Sequence, residues 1–284
     1  MAKIAIVTDS TAYIPNEYLQ QYKITVVPQV LIWGDQTYED GVTIQPDEFY
    51  KRLSTAKVMP STSQVSVINM QTAFYNLIEQ GYEVLGVFVS SKLSGTVQSA
   101  MQGREALSKS KDRIEIIDSN SVAMAMGFQV LAAARAAAEG ASMLECKKLV
   151  DRARECTGVY FVVDTLEFLY RGGRIGGAQR FMGTALNLKP ILALQDGKVE
   201  ALERVRTKSK ALDRLIEIIV GQTAGKTPVR LASLHANVPD EGKDLLDRAT
   251  ALINPVESIF TSVSPVVGSH AGPGTLGLAY MAGL

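Results

Sequence analysis

Two short strings of hydroxyl residues are the first places where residue type and spacing offer chemistry. Thr62-Ser63 stands just ahead of an apolar-periodic segment that begins near Ser66, and Ser94-Gly95-Thr96 opens a second such segment after a strand-like run ending at Ser90. A helix start carries unpaired backbone N–H groups and a partial positive charge, and a glycine there admits an anion close to the backbone. Two starts of this kind suit one shared carboxylate or phosphate, held by Thr62, Ser63, Ser94 and Gly95. The plainer alternative is that Ser66 and Ser94 only cap their helices, which is what serine most often does there.

A third string, Gly272-Pro273-Gly274-Thr275-Leu276-Gly277, has the letters of the dinucleotide fingerprint. That motif needs a preceding strand, a following helix and an acidic residue about 20 positions onward. No acidic residue follows it in this sequence. A glycine-rich turn that sets His270 at the mouth of a cleft is the better reading, because glycine permits unusual backbone angles on either side of it. A lone histidine equally reads as a structural residue, and that alternative stays open.

A fourth feature is basic. Arg171-Gly172-Gly173-Arg174 precedes Arg204, Arg206, Lys208 and Lys210, and from Arg171 to Arg214 ten Lys/Arg stand against four Asp/Glu. The chain as a whole has 29 of each sign, so this segment is +6 and the remainder −6. Such a surface suits an anionic group or an acidic partner. Charged hairpin edges that resist sheet-to-sheet pairing would look the same.

Other chemistries find little support. Asp9 ends a strand-like run, but an aspartyl phosphatase would want a second Asp two residues on, where Thr11 stands. No G-x-S-x-G elbow or P-loop occurs, and the Ser-x-x-Lys strings at Ser54 and Ser108 lack companion motifs. Two histidines and two cysteines, Cys146 and Cys156, give no zinc spacing. The cysteines lie ten apart on one expected helix, about 15 Å along its axis, too far for a disulfide.

The elements that must position these groups follow from periodicity. Lys3–Thr8, Ile24–Trp33, Val84–Val89, Arg113–Ile117 and Val159–Val163 read as strands separated by amphipathic helices. In the helices, Val67, Met70, Phe74, Leu77 and Ile78 mark one apolar face, and Val97, Met101 and Leu107 another. This alternation predicts α/β architecture with a doubly wound, mainly parallel sheet, whose ligands sit at the carboxyl ends of strands. After about Gly158 the pattern changes. A hairpin around Asp196-Gly197, then helices and strands in turn, predicts an α+β layer with a partly antiparallel sheet. The expected domains are 1–157 and 158–284, with the ligand in the cleft between them.

Composition narrows the setting. Balanced charge gives no global field for nucleic acid. The longest nearly apolar run, Val122–Ala134, is shorter than the ~20 residues of a membrane span and reads as a buried helix. The N-terminus shows no secretion signal, so a reduced, cytoplasmic protein without integral membrane association is expected.

Six strings in this order resemble the DegV family: IVTDSTA at Ile6–Ala12, PSTSQ at Pro60–Gln64, SSKLSGTVQSA at Ser90–Ala100, YRGGRI at Tyr170–Ile175, VRTKSKA at Val205–Ala211 and HAGPGTLG at His270–Gly277. That family includes the fatty-acid-binding subunit of bacterial fatty acid kinase. The resemblance implies a long-chain fatty acid buried between the domains and no cofactor, no metal and no catalytic residue. It implies that Thr62 and Ser94 hold the carboxylate with His270 beside it, while Arg171, Arg174 and Arg206 face the phosphorylation surface and an ATP-dependent kinase partner. One departure is Val65, where the commonest family form has proline after the glutamine. A small-molecule hydrolase or phosphatase using Asp9 or Ser94 in the same cleft is the alternative, and a non-lipid docking adapter is another.

Overall fold

The computed structural model describes residues 3–183 and 188–284. Its first part contains β1 (Ile4–Asp9), α1 (Asn16–Gln21), β2 (Thr25–Val27), β3 (Val30–Trp33), β4 (Gln36–Glu39), α2 (Pro46–Leu53), β5 (Ser61–Ser63), α3 (Val67–Glu79), β6 (Glu83–Phe88), α4 (Thr96–Ala106), β7 (Ile114–Asp118), α5 (Ala123–Ala138) and α6 (Met143–Cys156). Strands β2-β1-β6-β7 form an all-parallel sheet in that order. The expected single strand over Ile24–Trp33 is broken. Pro28 has no N–H to donate to a ladder, and beyond it the chain leaves the parallel sheet. The second half, β3, instead centres a small antiparallel sheet of order β4-β3-β5.

The second part contains β8 (Thr157–Val162), α7 (Glu167–Arg171), β9 (Lys189–Gln195), β10 (Lys198–Val205), α8 (Lys208–Thr223), β11 (Val229–His235), α9 (Pro239–Ile253), β12 (Glu257–Ser262), α10 (Pro265–Ala271) and β13 (Leu276–Ala282). Its six-stranded sheet runs β10-β9-β8-β13-β11-β12. Only the β11–β12 pair is parallel, joined through α9, and the other pairs are antiparallel. Asp196 and Gly197 both have positive φ, 48° and 77°, as the two-residue turn between β9 and β10 requires.

Packing explains which helices are apolar all round. Residues 123–134 of α5 are buried on every side, because α5 lies between the two large sheets and touches β1 and β6 on one side, β8 and β13 on the other. One apolar core therefore continues from Ile6 and Leu85 through Phe128 and Leu131 to Ala232 and Met281. α3 and α4 cover the far face of the parallel sheet, and α8 and α9 that of the mixed sheet. On α4 the expected apolar stripe is only partly right, since Met101 is 42% exposed. Small residues make that face: Ala100 and Gly103 are buried, and a Cβ on Gly103 would lie 2.9 Å from the backbone N of Gln71 on α3. Among the described residues no helix is long and apolar enough to cross a membrane.

Candidate functional site

The carboxyl ends of the parallel strands point at one face of the mixed sheet, and a cavity of roughly 940 Å³, including its mouth, lies between them. Thr11 and Tyr13 follow β1, Gln29 follows β2, Val89, Leu93 and Ser94 follow β6, and Val122 and Ala123 follow β7. This is the crevice where open α/β sheets bind ligands. The mixed sheet supplies an apolar floor from Val159, Phe161, Leu194, Val199 and Leu234, and α10 closes one side with Val266, Val267 and Ala271.

The polar groups gather along the rim. Thr62 Oγ1 lies 2.8 Å from His270 Nε2. Ser94 Oγ is 2.9 Å from Thr96 Oγ1 and donates a longer bond, 3.4 Å, to Gln29 Oε1. Gln29 in turn donates to Asp9 Oδ1 at 3.3 Å. Asp9 is fully buried and also accepts from Thr11 N, Thr11 Oγ1 and Val89 N, so its carboxylate is saturated while burial pushes its pKa up. Asp9 does not line the cavity, and among the described residues Ser94 has no general base in hydrogen-bond reach. Neither has the setting of a nucleophile.

His270 stands in the last turn of α10, ahead of the glycine turn and not within it. It is half-buried and lines the cavity. Its Nδ1 is buried without a hydrogen-bond partner among the described residues, packed where a Cβ on Gly172 would come within 2.0 Å of it. Burial, and after it the charge of Arg174, push its pKa down to about 4, so the ligand-free imidazole is neutral near pH 7. The string from Gly272 to Gly277 runs from a helix into strand β13, the reverse of the dinucleotide order. Gly272 and Gly274 do have positive φ, 80° and 76°.

Several expectations change in detail. Thr62 and Ser63 belong to strand β5, paired with β3, and not to a helix start; α3 begins at Val67, capped by Ser66 Oγ accepting from Asn69 N. Gly95, not Ser94, is the N-cap residue of α4, and Ser94 Oγ accepts a long bond, 3.4 Å, from the backbone N of Thr96. Gly95 does not line the cavity. It makes room for Gln64, whose Oε1 would lie 1.9 Å from a Cβ there and whose amide donates to Ser99 Oγ.

Arg174 lines the cavity, where sequence reasoning put it on an outer surface, and donates to Leu93 O at 3.0 Å and Gly172 O at 2.7 Å. Arg171 lies outside, paired with Glu167 at 2.5 Å. Arg206 is exposed. Gln29 was missed altogether. The available signal for Gln29 was an amide following Pro28 inside an otherwise apolar stretch, where a buried polar group must have partners.

An α/β protein whose parallel-sheet loops rim a cavity floored by a second, mixed sheet is a recognisable class. Over residues 3–283 the sequence matches a family described as uncharacterised DegV family proteins. It is 37% identical over 278 residues to a DegV domain-containing protein of Streptomyces coelicolor, covering 97% of each chain. Among solved structures, one described for the fatty acid binding of a DegV family protein from Thermus thermophilus superposes with TM-score 0.93 at 33% identity, covering 99% of both chains. DegV of Bacillus subtilis, described as a fatty acid binding protein, superposes with TM-score 0.90 at 31% identity over 99% of this chain and 100% of that one. The chain belongs to the DegV family.

Proposed function

We propose that this protein binds one long-chain fatty acid in the cavity between its sheets and presents the carboxylate to an ATP-dependent kinase partner. The observation that carries the reading is an apolar floor bounded by a rim of hydroxyl, amide and imidazole groups, matched by fatty acid binding in relatives of the same fold. Burying an acyl tail at ~0.8 kcal/mol per CH₂ gives on the order of 10 kcal/mol of gross stabilisation for a fifteen-carbon tail. Ordering a flexible chain takes back part of that. The carboxylate would cost several kcal/mol if buried without donors.

Thr62 and Ser94 supply hydroxyl donors, Ser63 and His270 border them, and the Arg174 guanidinium lies in the same wall. A carboxylate held by neutral donors keeps its nucleophilic oxygen, and a kinase that brings ATP supplies the catalysis. Arg171 and Arg206 serve the partner or the phosphate. The protein acts as a carrier without a catalytic residue of its own, a reading that the saturated Asp9 and unassisted Ser94 support over a hydrolase.

Native mass spectrometry of the purified protein is the test, with a co-purified long-chain fatty acid released on denaturation as the expected result. No bound lipid, together with no uptake on titration with free fatty acid, would sink the reading.

A further inference from the structure

The floor of the cavity has a gap in its middle. In the antiparallel ladders Gly277 stands directly opposite Phe161 on β8 and opposite Leu234 on β11. Residues directly opposite one another in a ladder share a face, and all three line the cavity. The alternation along β13 agrees: Leu276, Leu278 and Tyr280 pack with α8 and α9, whereas Ala279 and Met281 join the core that includes α5. The row Phe161, Gly277, Leu234 is thus large, absent, large. The next row inward, Val159, Ala279, Ala232, is also shallow at its centre.

Glycine is not demanded here by the backbone, because Gly277 lies in a strand and is not among the residues with positive φ. Glycine inside a strand weakens it, and a close approach by a ligand is one of the reasons it is found there. A Cβ at 277 would sit 3.1 Å from Phe161 Cβ and 3.4 Å from Leu234 Cδ1. It would also sit 3.1 Å from the backbone O of Tyr160, so a larger side chain must extend into the cavity or displace Phe161 or Leu234. We propose that Gly277 is a specificity-determining position: the trough it leaves between Phe161 and Leu234 sets the length and bulk of acyl chain that the cavity accepts. This rests on the fatty-acid reading above.

The test uses the full chain carrying Gly277→Ala, Gly277→Val, and Gly277→Ala combined with Leu234→Ala. Lipids extracted from each purified protein are profiled, and each is titrated with saturated fatty acids of increasing length. The expected result is a shift of the profile toward shorter chains. In Gly277→Val the affinity for the longest chain bound by the parent falls at least tenfold more than that for the shortest, and Leu234→Ala partly reverses the effect of Gly277→Ala. A folded Gly277→Val protein with the parent's profile and affinities overturns the proposal and leaves the fatty-acid reading standing. A parent that binds no fatty acid overturns both. Should Gly277→Val prevent folding, Leu234→Ala alone decides, since it widens the same trough. A shift toward longer or bulkier chains supports the proposal, and an unchanged profile overturns it.

Discussion

The two large sheets serve the cavity in different ways. The parallel sheet offers its ends: short loops after β1, β2, β6 and β7 bring Thr11, Gln29, Ser94 and Ala123 to one crevice. Loops at strand ends leave polar groups to be satisfied individually, and here a chain of bonds runs from Asp9 through Gln29 to Ser94. The mixed sheet offers its face, where alternation delivers one row of side chains per strand and the row is apolar. Ends give directional bonds, and a face gives area. An amphiphilic ligand needs both, which places its buried apolar area in the floor and its directional bonds in the rim.

Removing the rim while keeping the floor is the strongest way to break this comparison. Thr62→Ala combined with Ser94→Ala removes two hydrogen bonds to a charged group, at about 1.5–3 kcal/mol each. Fatty-acid affinity should fall by a hundredfold or more, while denaturation midpoints move little because neither residue is the N-cap of a helix. Equal lipid retention by the double variant and the parent, measured by native mass spectrometry, would remove both residues from the head-group site.

The next test sharpens the account of the rim through pH. His270 is held at about 4 in the folded protein, against about 6.5 for an unperturbed histidine. As pH falls the unfolded chain takes up this proton first, so stability is lost between about pH 6.5 and pH 4 and is recovered as pH rises. At about 1.4 kcal/mol per pH unit the loss approaches 3 kcal/mol. His270→Gln does not titrate, so in lipid-free protein the parent should lose more stability than the variant between pH 7 and pH 4.5. The buried Asp9 and Asp40, whose pKa values are raised, are common to both proteins and cancel in the difference. A bound carboxylate should narrow the gap by favouring the imidazolium. Identical pH profiles in urea denaturation would show that the folded protein does not hold His270 neutral.

Much of this was legible in the sequence, and the physical reasons differ by residue. Period-two and period-3.6 patterns located the strands of the parallel sheet and most of those of the mixed sheet, but not β13, which lies between β8 and β11 and follows a string read only as a glycine-rich turn; Val122–Ala134 read correctly as a buried helix because apolar residues on every side leave no solvent face. The grouping of Thr62 with His270, and of Ser94 nearby, came from short strings whose order along the chain carries family information. Propensity says nothing of that kind. What stayed hidden is tertiary. Nothing local shows that β3 departs for another sheet after Pro28, that Gly95 makes room for Gln64, or that Arg174 turns inward to Leu93 O. The small-residue face of α4 was also overlooked, since periodicity scored large apolar side chains and the packed face there depends on Ala100 and Gly103.

The smallest expected effect on binding lies outside both rim and floor. Arg206 is exposed and does not line the cavity, and it follows the β9–β10 hairpin at the start of the segment leading into α8. Exposed charges are screened within ~8–10 Å at physiological salt, so Arg206→Glu should change the affinity for unphosphorylated fatty acid by less than about twofold. If this surface receives an acidic kinase or the phosphate, fatty acid bound to the same variant should be phosphorylated several-fold more slowly when a fatty acid kinase subunit and ATP are supplied. Mutating a rim charge typically changes association rate and its salt dependence. Raising ionic strength should therefore slow the parent toward the variant and narrow the gap between them. Arg171, already neutralised by Glu167, should give a weaker effect on the same reversal. Equal phosphorylation of the fatty acid bound to parent and to Arg206→Glu across the salt series would detach the basic surface from the partner and leave the cavity, with its rim and floor, as the only part of the molecule tied to the ligand.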